Sequence, residues 1–330
     1  MTAAPALLDD AATSAAGPER AIVPPTGRGG IHLRRFAGPA AHVGIVEDLR
    51  VAHLTDLHVG RVTPMWVQDE AVAITNAQDP DLVCITGDFV CHSQLYLDAL
   101  TEVIRKFTAP VIAVLGNHDH WSGADEVRHA LRRGGAEVLD NRHTVISLRH
   151  QRLQVVGLDD AYTGHAARRE AIRGLRHDLA TLALSHIAEE ADGLWNHGIP
   201  FVLSGHTHAG QVTVARLHEL AVGKLAGHKY VHGLYGRRSP KAPGTTNVQA
   251  NGAVYVGAGI GAAVMPLRLG ERAKREVALF ELGKLPGAFE EHHAEQLALV
   301  GRKPSPKQIY RRATAVIRKK HKRDRLLKGA

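Results

Sequence analysis

The chain is short of cysteine and of long apolar runs, and each shortage excludes a class of protein. Two cysteines in 330 residues, Cys84 and Cys91, make neither a disulfide framework nor a Cys-rich zinc site. Cys84 lies in an apolar stretch. A Cys84–Cys91 bridge would need an oxidising compartment, and a reducing one suits the composition better. No segment reaches the roughly 18 consecutive apolar residues that a membrane span needs. The opening stretch, MTAAPALLDDAATSAAGPERAIVPP, has neither the basic start nor the sustained apolar core of a secretory signal. Residues 1–30 read as a flexible leader, and the chain is expected in the cytoplasm.

What is present is enough apolar material for a sizeable core, 44% of residues. The net charge of +8 is unevenly placed. From Gly301 to Ala330 there are 12 Lys and Arg against one Asp, a net of +11, so the remaining 300 residues carry −3. The body is near neutral, and the basicity belongs to a tail. One globular domain over 45–285 is expected, followed by a basic tail over 286–330.

Through the first half, strand-like runs (49–54, 81–86, 111–115, 152–158) alternate with helical ones (70–78, 95–107, 124–134), the pattern of an α/β sheet. Past residue 180 come short strands at 181–185, 201–204, 212–214, 253–256 and 276–282. Gly- and His-rich loops separate them.

Five of these runs end alike. LRVAHLT leads to Asp56-Leu57-His58, LVCIT to Gly87-Asp88, and VIAVL to Gly116-Asn117-His118-Asp119. TLALS leads to His186, and FVLS to Gly205-His206-Thr207-His208. Ligands of α/β sheets bind beyond the carboxyl ends of strands. Five such ends would gather Asp, Asn and His at one edge. Imidazoles with carboxylates suit Zn, Fe or Mn better than Ca or Mg. Each i, i+2 pair, Asp56 with His58 and His206 with His208, can point to one side of an extended chain. A carboxylate such as Asp88 can bridge two ions about 3.5–4 Å apart, the spacing used to hydrolyse phosphate esters. A lone strand-end His or Asp is more often a turn residue. Five together, in this order, are not.

In these five motifs the chain resembles the calcineurin-like metallophosphoesterase family over about 48–282. The resemblance implies an α/β fold: a sandwich of two mixed β-sheets flanked by helices, with the site above the sheet edges. It implies Asp56, His58 and His208 on one metal, Asn117, His186 and His206 on the other, and Asp88 between them. His118 would contact the phosphate and protonate the leaving oxygen. Asp119 would orient and charge His118. The nucleophile would be a hydroxide made on two divalent ions, expected as Mn2+ with Fe or Zn as alternatives. SGHTHAGQV, HGLYGRR and the stretch from Gly257 to Leu282 resemble the bacterial membrane-associated subgroup that includes UDP-2,3-diacylglucosamine hydrolases of lipid A biosynthesis. Two departures stand out. His186 is followed by Ile187-Ala188-Glu189 rather than a proline-containing turn, and the subgroup's N-terminal anchor or export signal is missing.

Other residues keep open readings. His120 either touches substrate or packs beside the site. His228 and His232 lie in a Gly-rich loop able to line the pocket. Arg268 either forks a phosphate or makes a structural ion pair. The loops 159–178 and 215–245 are candidate lids. In the tail, Ser305 as N-cap, Pro306 as first helical residue and Gln308 predict a helix start. Ile309, Ala313, Val316 and Ile317 share one face. Such a helix binds an anionic membrane surface, binds nucleic-acid phosphates, or docks its apolar stripe on the body. The leading expectation is a two-metal phosphoesterase, peripheral on the inner face of the cell membrane, acting on a phosphate ester such as a nucleotide-linked lipid. A soluble phosphodiesterase or nuclease is the alternative, and the near-neutral body argues against nucleic acid. A non-catalytic, membrane-recruited binding protein is the third reading.

Overall fold

The computed structural model describes residues 20–25, 30–91, 93–210, 222–224, 226–237, 252–262, 268–289, 291 and 295–315. The strand expected at 212–214 and two stripe residues of the tail, Val316 and Ile317, lie outside them.

Continuous apolar strands become intelligible once their two faces are followed. In β3 (Leu82–Thr86), Leu82 and Cys84 face one apolar cluster while Val83 and Ile85 face another. The neighbouring β2 (Leu49–Leu54) divides in the same way, with Leu49 and Val51 on one side and Ala52 and Leu54 on the other. Period-two geometry thus makes each strand a wall between two cores. Sheet one has the order β1-β12-β2-β3-β4-β5. Its other members are β1 (His32–Ala37), β12 (Glu276–Leu282), β4 (Val111–Val114) and β5 (Glu137–Val138). Sheet two has the order β10-β11-β9-β8-β7-β6. These are β10 (Gly233–Gly236), β11 (Ala253–Val256), β9 (Phe201–Ser204), β8 (Ala180–Leu184), β7 (Gln151–Gly157) and β6 (Arg142–Leu148). Each sheet mixes parallel and antiparallel neighbours: β2, β3 and β4 run parallel while β12 opposes β2, and β7, β8 and β9 run parallel while β6 opposes β7.

The sheets pack face to face through Phe36, Leu82, Ile112, Leu182, Phe201, Tyr255 and Phe280. The outer face of sheet one carries α1 (Met65–Ala77), α2 (Leu97–Arg105) and α3 (Asn117–Arg133), through Ala71, Leu100, Ile104, Val127 and Leu131. The expected sandwich of two mixed sheets flanked by helices is therefore the fold. Among the described residues no helix is long and apolar enough to cross a membrane.

Two helices start earlier than the sequence pattern predicts. Exposed Met65 and Trp66 hide the first turn of α1, because only from Val67 onward does an apolar face reach the core. α3 begins at Asn117, seven residues before the helical run expected at 124–134. Its first turn holds Asn117, His118 and Asp119, and Gly123 (φ 116°) kinks it into two short helices. Poor helix formers open that turn because the Asp119 carboxylate accepts the Gly116 amide at 2.9 Å, satisfying a donor that every helix start leaves free.

Away from the site, His42 is buried in a turn (Ala40–His42), its Nε2 3.0 Å from the Thr181 carbonyl. Burial pushes it down from 6.5 to about 4. Between those values the unfolded chain takes up a proton that the folded chain refuses. Stability is intact above the unfolded value and drains away as pH falls through the window, by about 3 kcal/mol in total. His42→Gln should shrink the loss between pH 7.5 and 4.5 by roughly 2–3 kcal/mol, read from urea melts at the two pH values. Equal losses in both proteins would remove His42 from the account.

Candidate metal centre

The carboxyl ends of β2, β3, β4, β8 and β9 meet where the two sheets come together. The loops after β2 and β3 are stitched along their backbones: Asp56 N to Gly87 O at 3.0 Å, His58 N to Asp88 O at 2.9 Å, and Val59 N to Phe89 O at 2.7 Å. Gly205 N reaches His186 O at 3.2 Å and joins the ends of β8 and β9. These hairpin-tight exits force unusual backbone. Asp56, His58, Asp88, His206 and His208 all have positive φ, between 44° and 75°. L-residues sit in the left-handed region only when their surroundings over-determine it, and such strain gathers at functional sites. Space is equally tight. A Cβ on Gly116, whose φ is −113°, would lie 2.3 Å from Asp88 Oδ1. Glycine is needed there for close approach, not for conformation.

The side chains converge into two groups whose ligand atoms lie within 4.8 Å of one another: Asp56, His58 and His208, and Asp88, His186 and His206. His208 Nε2 is 3.2 Å from Asp56 Oδ1 and 3.0 Å from His58 Nε2. His206 Nδ1 is 3.3 Å from His186 Nε2. Asp88 Oδ2 stands between the groups, 3.7 Å from His58 Nε2 and 3.3 Å from His186 Nε2. Asn117, at the end of β4, is buried with its Oδ1 lacking a hydrogen-bond partner among the described residues, as does Asp56 Oδ1. Both cysteines are free, so no Cys84–Cys91 bridge exists. Cys91 joins a third group with His58 and His118.

The electrostatics fit divalent cations. Burial, then the Asp88 and His208 charges acting in opposite senses, leaves His58 at about 3; burial and then Arg268 leave His208 at about 3. Burial followed by His186 drives His206 well below its usual range. Neutral imidazole is the form that binds metal. His186 is the exception. Burial opposes its charge, yet Asp88, Asp56 and Asp160 outweigh burial and lift it to about 10. Carboxylates that hold a proton on a fully buried ring create the negative potential that a cation would occupy, and metal binding there releases the proton. Orphaned buried oxygens, neutral imidazoles and carboxylates together match a hard-to-borderline divalent metal.

His118 lies outside these two groups. Its side chain keeps 13% of its exposure, close to the 12% of His208, whereas those of Asp56 and His58 keep none. Its Nε2 lies 4.0 Å from Asp88 Oδ2, its ring meets His58 edge-on at 4.9 Å, and Trp121 packs against it at 4.9 Å. Its amide donates to Asp88 Oδ1 at 2.8 Å. Asp119, expected to orient the His118 ring, instead accepts backbone amides: Phe89 at 2.8 Å, Val90 at 3.3 Å and Gly116 at 2.9 Å. It is a clasp between the loops after β3 and β4. Burial and the Asp88 charge push it up to about 7 despite those bonds.

The open readings resolve individually. Arg268 Nη1 donates to Ala258 O at 2.8 Å and Ala273 O at 2.9 Å, and Nη2 comes within 3.5 Å of His208 Nδ1. It is a strut behind His208. His120 pairs with Asp159 at 2.7 Å and stacks on His165 at 4.0 Å. His228 meets the His206 ring at 5.1 Å, whereas His232 is buried against Glu276 at 3.1 Å. Tyr162, whose ring packs 4.9 Å from His206, was missed. A tyrosine in a loop carries no motif, and its only signal was the candidate lid at 159–178.

Two mixed sheets that present buried carboxylates and imidazoles at a shared edge define a metallohydrolase. Residues 49–210 match the family model described as calcineurin-like phosphoesterase. Over that stretch the chain is similar to the family, and the protein is a metal-dependent phosphoester hydrolase. Phosphodiesterase YaeI of Escherichia coli K12 is 29% identical over 191 residues, covering 56% of this chain and 69% of that one. The Bacillus subtilis protein named uncharacterized metallophosphoesterase YkuE is 26% identical over 242 residues, 72% of this chain and 79% of its own. Among solved structures, a dimetal phosphatase from Danio rerio overlaps 72% of this chain and all of its own, with a TM-score of 0.42 and 10% identity.

Proposed function

We propose that the protein is a two-metal phosphodiesterase. Asp56, His58 and His208 would hold one ion, Asn117, His186 and His206 the other, and Asp88 would serve both. The observation that carries this is the placement of Asp88 Oδ2 between His58 and His186. Two divalent ions, when bound, acidify a water and offset charge on the phosphate oxygens. The chain's own residues do the rest. His118, partly open beside the two groups, meets the substrate and hands a proton to the leaving oxygen. Trp121 and His58 fix that ring from two sides, and the Asp119 clasp fixes the loop beneath it. The name of the Escherichia coli relative supports a diester over a monoester.

The narrower reading is a pyrophosphate bond in a nucleotide-linked lipid such as UDP-2,3-diacylglucosamine, with Mn2+ as the metal. The subgroup resemblance supports it, as does the basic tail, which suits an anionic membrane surface. The described rim, formed by Tyr162, Trp121 and His228, is aromatic and polar. Such a rim suits a nucleotide better than acyl chains.

Protein loaded with Mn2+ should hydrolyse bis(p-nitrophenyl) phosphate, and a chelator should stop it. Release of UMP from UDP-2,3-diacylglucosamine, with co-sedimentation on anionic vesicles, would support the narrower reading. Cleavage of the model diester alone, with no vesicle binding, would discard the lipid and keep the chemistry. Silence on both substrates with Mn2+, Fe2+ and Zn2+ would sink the enzyme reading.

A further inference from the structure

We propose that the C-terminal segment completes the substrate site, and that Arg312 is a specificity-determining residue that binds a second phosphate next to the one cleaved. This rests on the two-metal reading and names its substrate class: phosphodiesters bearing a further phosphate, as in pyrophosphate-linked nucleotides.

The basic tail does not simply leave the body. Gln296 N donates to Leu234 O at 2.7 Å, Leu299 N to Lys229 O at 2.9 Å, and Arg302 N to Gly227 O at 2.8 Å. Rising numbers on one side meet falling numbers on the other, so residues 296–302 form an antiparallel strap along 227–234. Arg272 Nη1 fastens it through Gln296 Oε1 at 2.6 Å. The strap delivers the chain to Ser305, where the predicted start forms: Ser305 N donates to Gln308 Oε1 at 2.8 Å and Gln308 N to Ser305 Oγ at 3.3 Å. The helix that follows is described over 306–315. Ile309, the first residue of the apolar stripe, stays 44% exposed, so it is not what aims the described part of the helix. A cation is: the Arg312 guanidinium carbon lies 3.8 Å above the centre of the Tyr162 ring.

Tyr162 links the tail to the metal centre. Its ring packs 4.9 Å from His206 on one side and 6.2 Å from Trp121, which backs His118, on the other. Its loop is held by buried Asp160, which accepts the Tyr162 amide at 3.2 Å and the Thr163 amide at 2.8 Å. Arg312 therefore sits over a fixed ring one residue away from a metal-binding imidazole. Among the described residues no carboxylate pairs with it. A guanidinium stacked on an aromatic face keeps its N–H edges free for a phosphate, which it grips as a planar fork. The ions and His118 serve the phosphate being cleaved. A neighbouring phosphate needs a cation of its own, and Arg312 is stacked on the ring that packs against His206.

The test compares binding of two non-hydrolysable ligands to the full-length, Mn2+-loaded protein by calorimetry. One is a uridine α,β-methylene diphosphonate and the other the uridine monophosphonate. Wild type should prefer the diphosphonate. Arg312→Ala should weaken the diphosphonate about tenfold more than the monophosphonate, the loss expected for one charge-assisted fork. Arg312→Lys, which keeps the charge but not the fork, should recover part of it. With a pyrophosphate-linked substrate the same variants should raise KM more than they lower kcat. Equal weakening of both ligands would make Arg312 a structural residue and overturn the proposal, as would an unchanged preference or a wild type that shows none. The calorimetry reads binding alone. Failure of the two-metal reading would show separately, in the hydrolysis of bis(p-nitrophenyl) phosphate.

Discussion

Asp88→Asn should cost at least roughly a thousandfold in turnover of bis(p-nitrophenyl) phosphate while the protein stays folded. The substitution keeps shape, and it keeps the Oδ1 acceptor for the His118 amide, 2.8 Å away. It removes the carboxylate charge that lies between the two ligand groups. Asp88 is also the largest of the charges that hold His186 up at about 10, so its loss weakens the attraction for cations at the second group. Bound metal should fall well below wild type by elemental analysis, with circular dichroism unchanged. A variant that keeps its full metal content and a tenth of its activity would show that Asp88 does not join the two groups.

His118→Ala should leave metal content intact and lower kcat by about 10²–10⁴-fold, the range for losing a positioned general acid. The ring lies outside both ligand groups as described, keeps its exposure at 13%, and stands over Asp88 at 4.0 Å. The loss should grow as the leaving group becomes more basic, larger for a methyl than for a p-nitrophenyl ester, because a poor leaving group needs the proton more. A loss independent of the leaving group would make His118 a binding residue. Asp119→Asn separates the clasp from the acid. Its carboxylate accepts three backbone amides. The amide side chain should therefore lower stability by about 1–3 kcal/mol and leave the leaving-group dependence as in wild type. A change in that dependence would restore Asp119 as a partner of the His118 ring.

Much of the site was legible because metal chemistry restricts residue type. Asp56, His58, Asp88, Asn117, His186, His206 and His208 each end an apolar run, and strand ends in an α/β sheet share an edge. The α/β class followed from the alternation of strands and helices, and the sandwich of two mixed sheets from the family resemblance. Elements whose apolar face is small or broken were harder to read. β6 buries only Leu148, β10 is glycine at both ends, and α3 starts on a carboxylate that reaches back to Gly116. Asp119 shows the limit most clearly. Its place beside His118 in the chain suggested a partner for the ring, but helical geometry turns its carboxylate back to the Gly116 amide and across to the β3 loop.

The sequence by itself determined which chemistry the protein carries, because ligand identity and strand-end position are local properties of the chain. Only the tertiary structure set the distances, with Asp88 Oδ2 3.7 Å from His58 and 3.3 Å from His186 and each ligand group drawn from strand ends of both sheets. It alone turned Arg268 from a phosphate candidate into a strut behind His208. It also brought Arg312 back over Tyr162, 150 residues earlier in the chain. The physical reason is common to all three. Contacts made through space between distant segments depend on register and packing, and neither is written in the residues that make them.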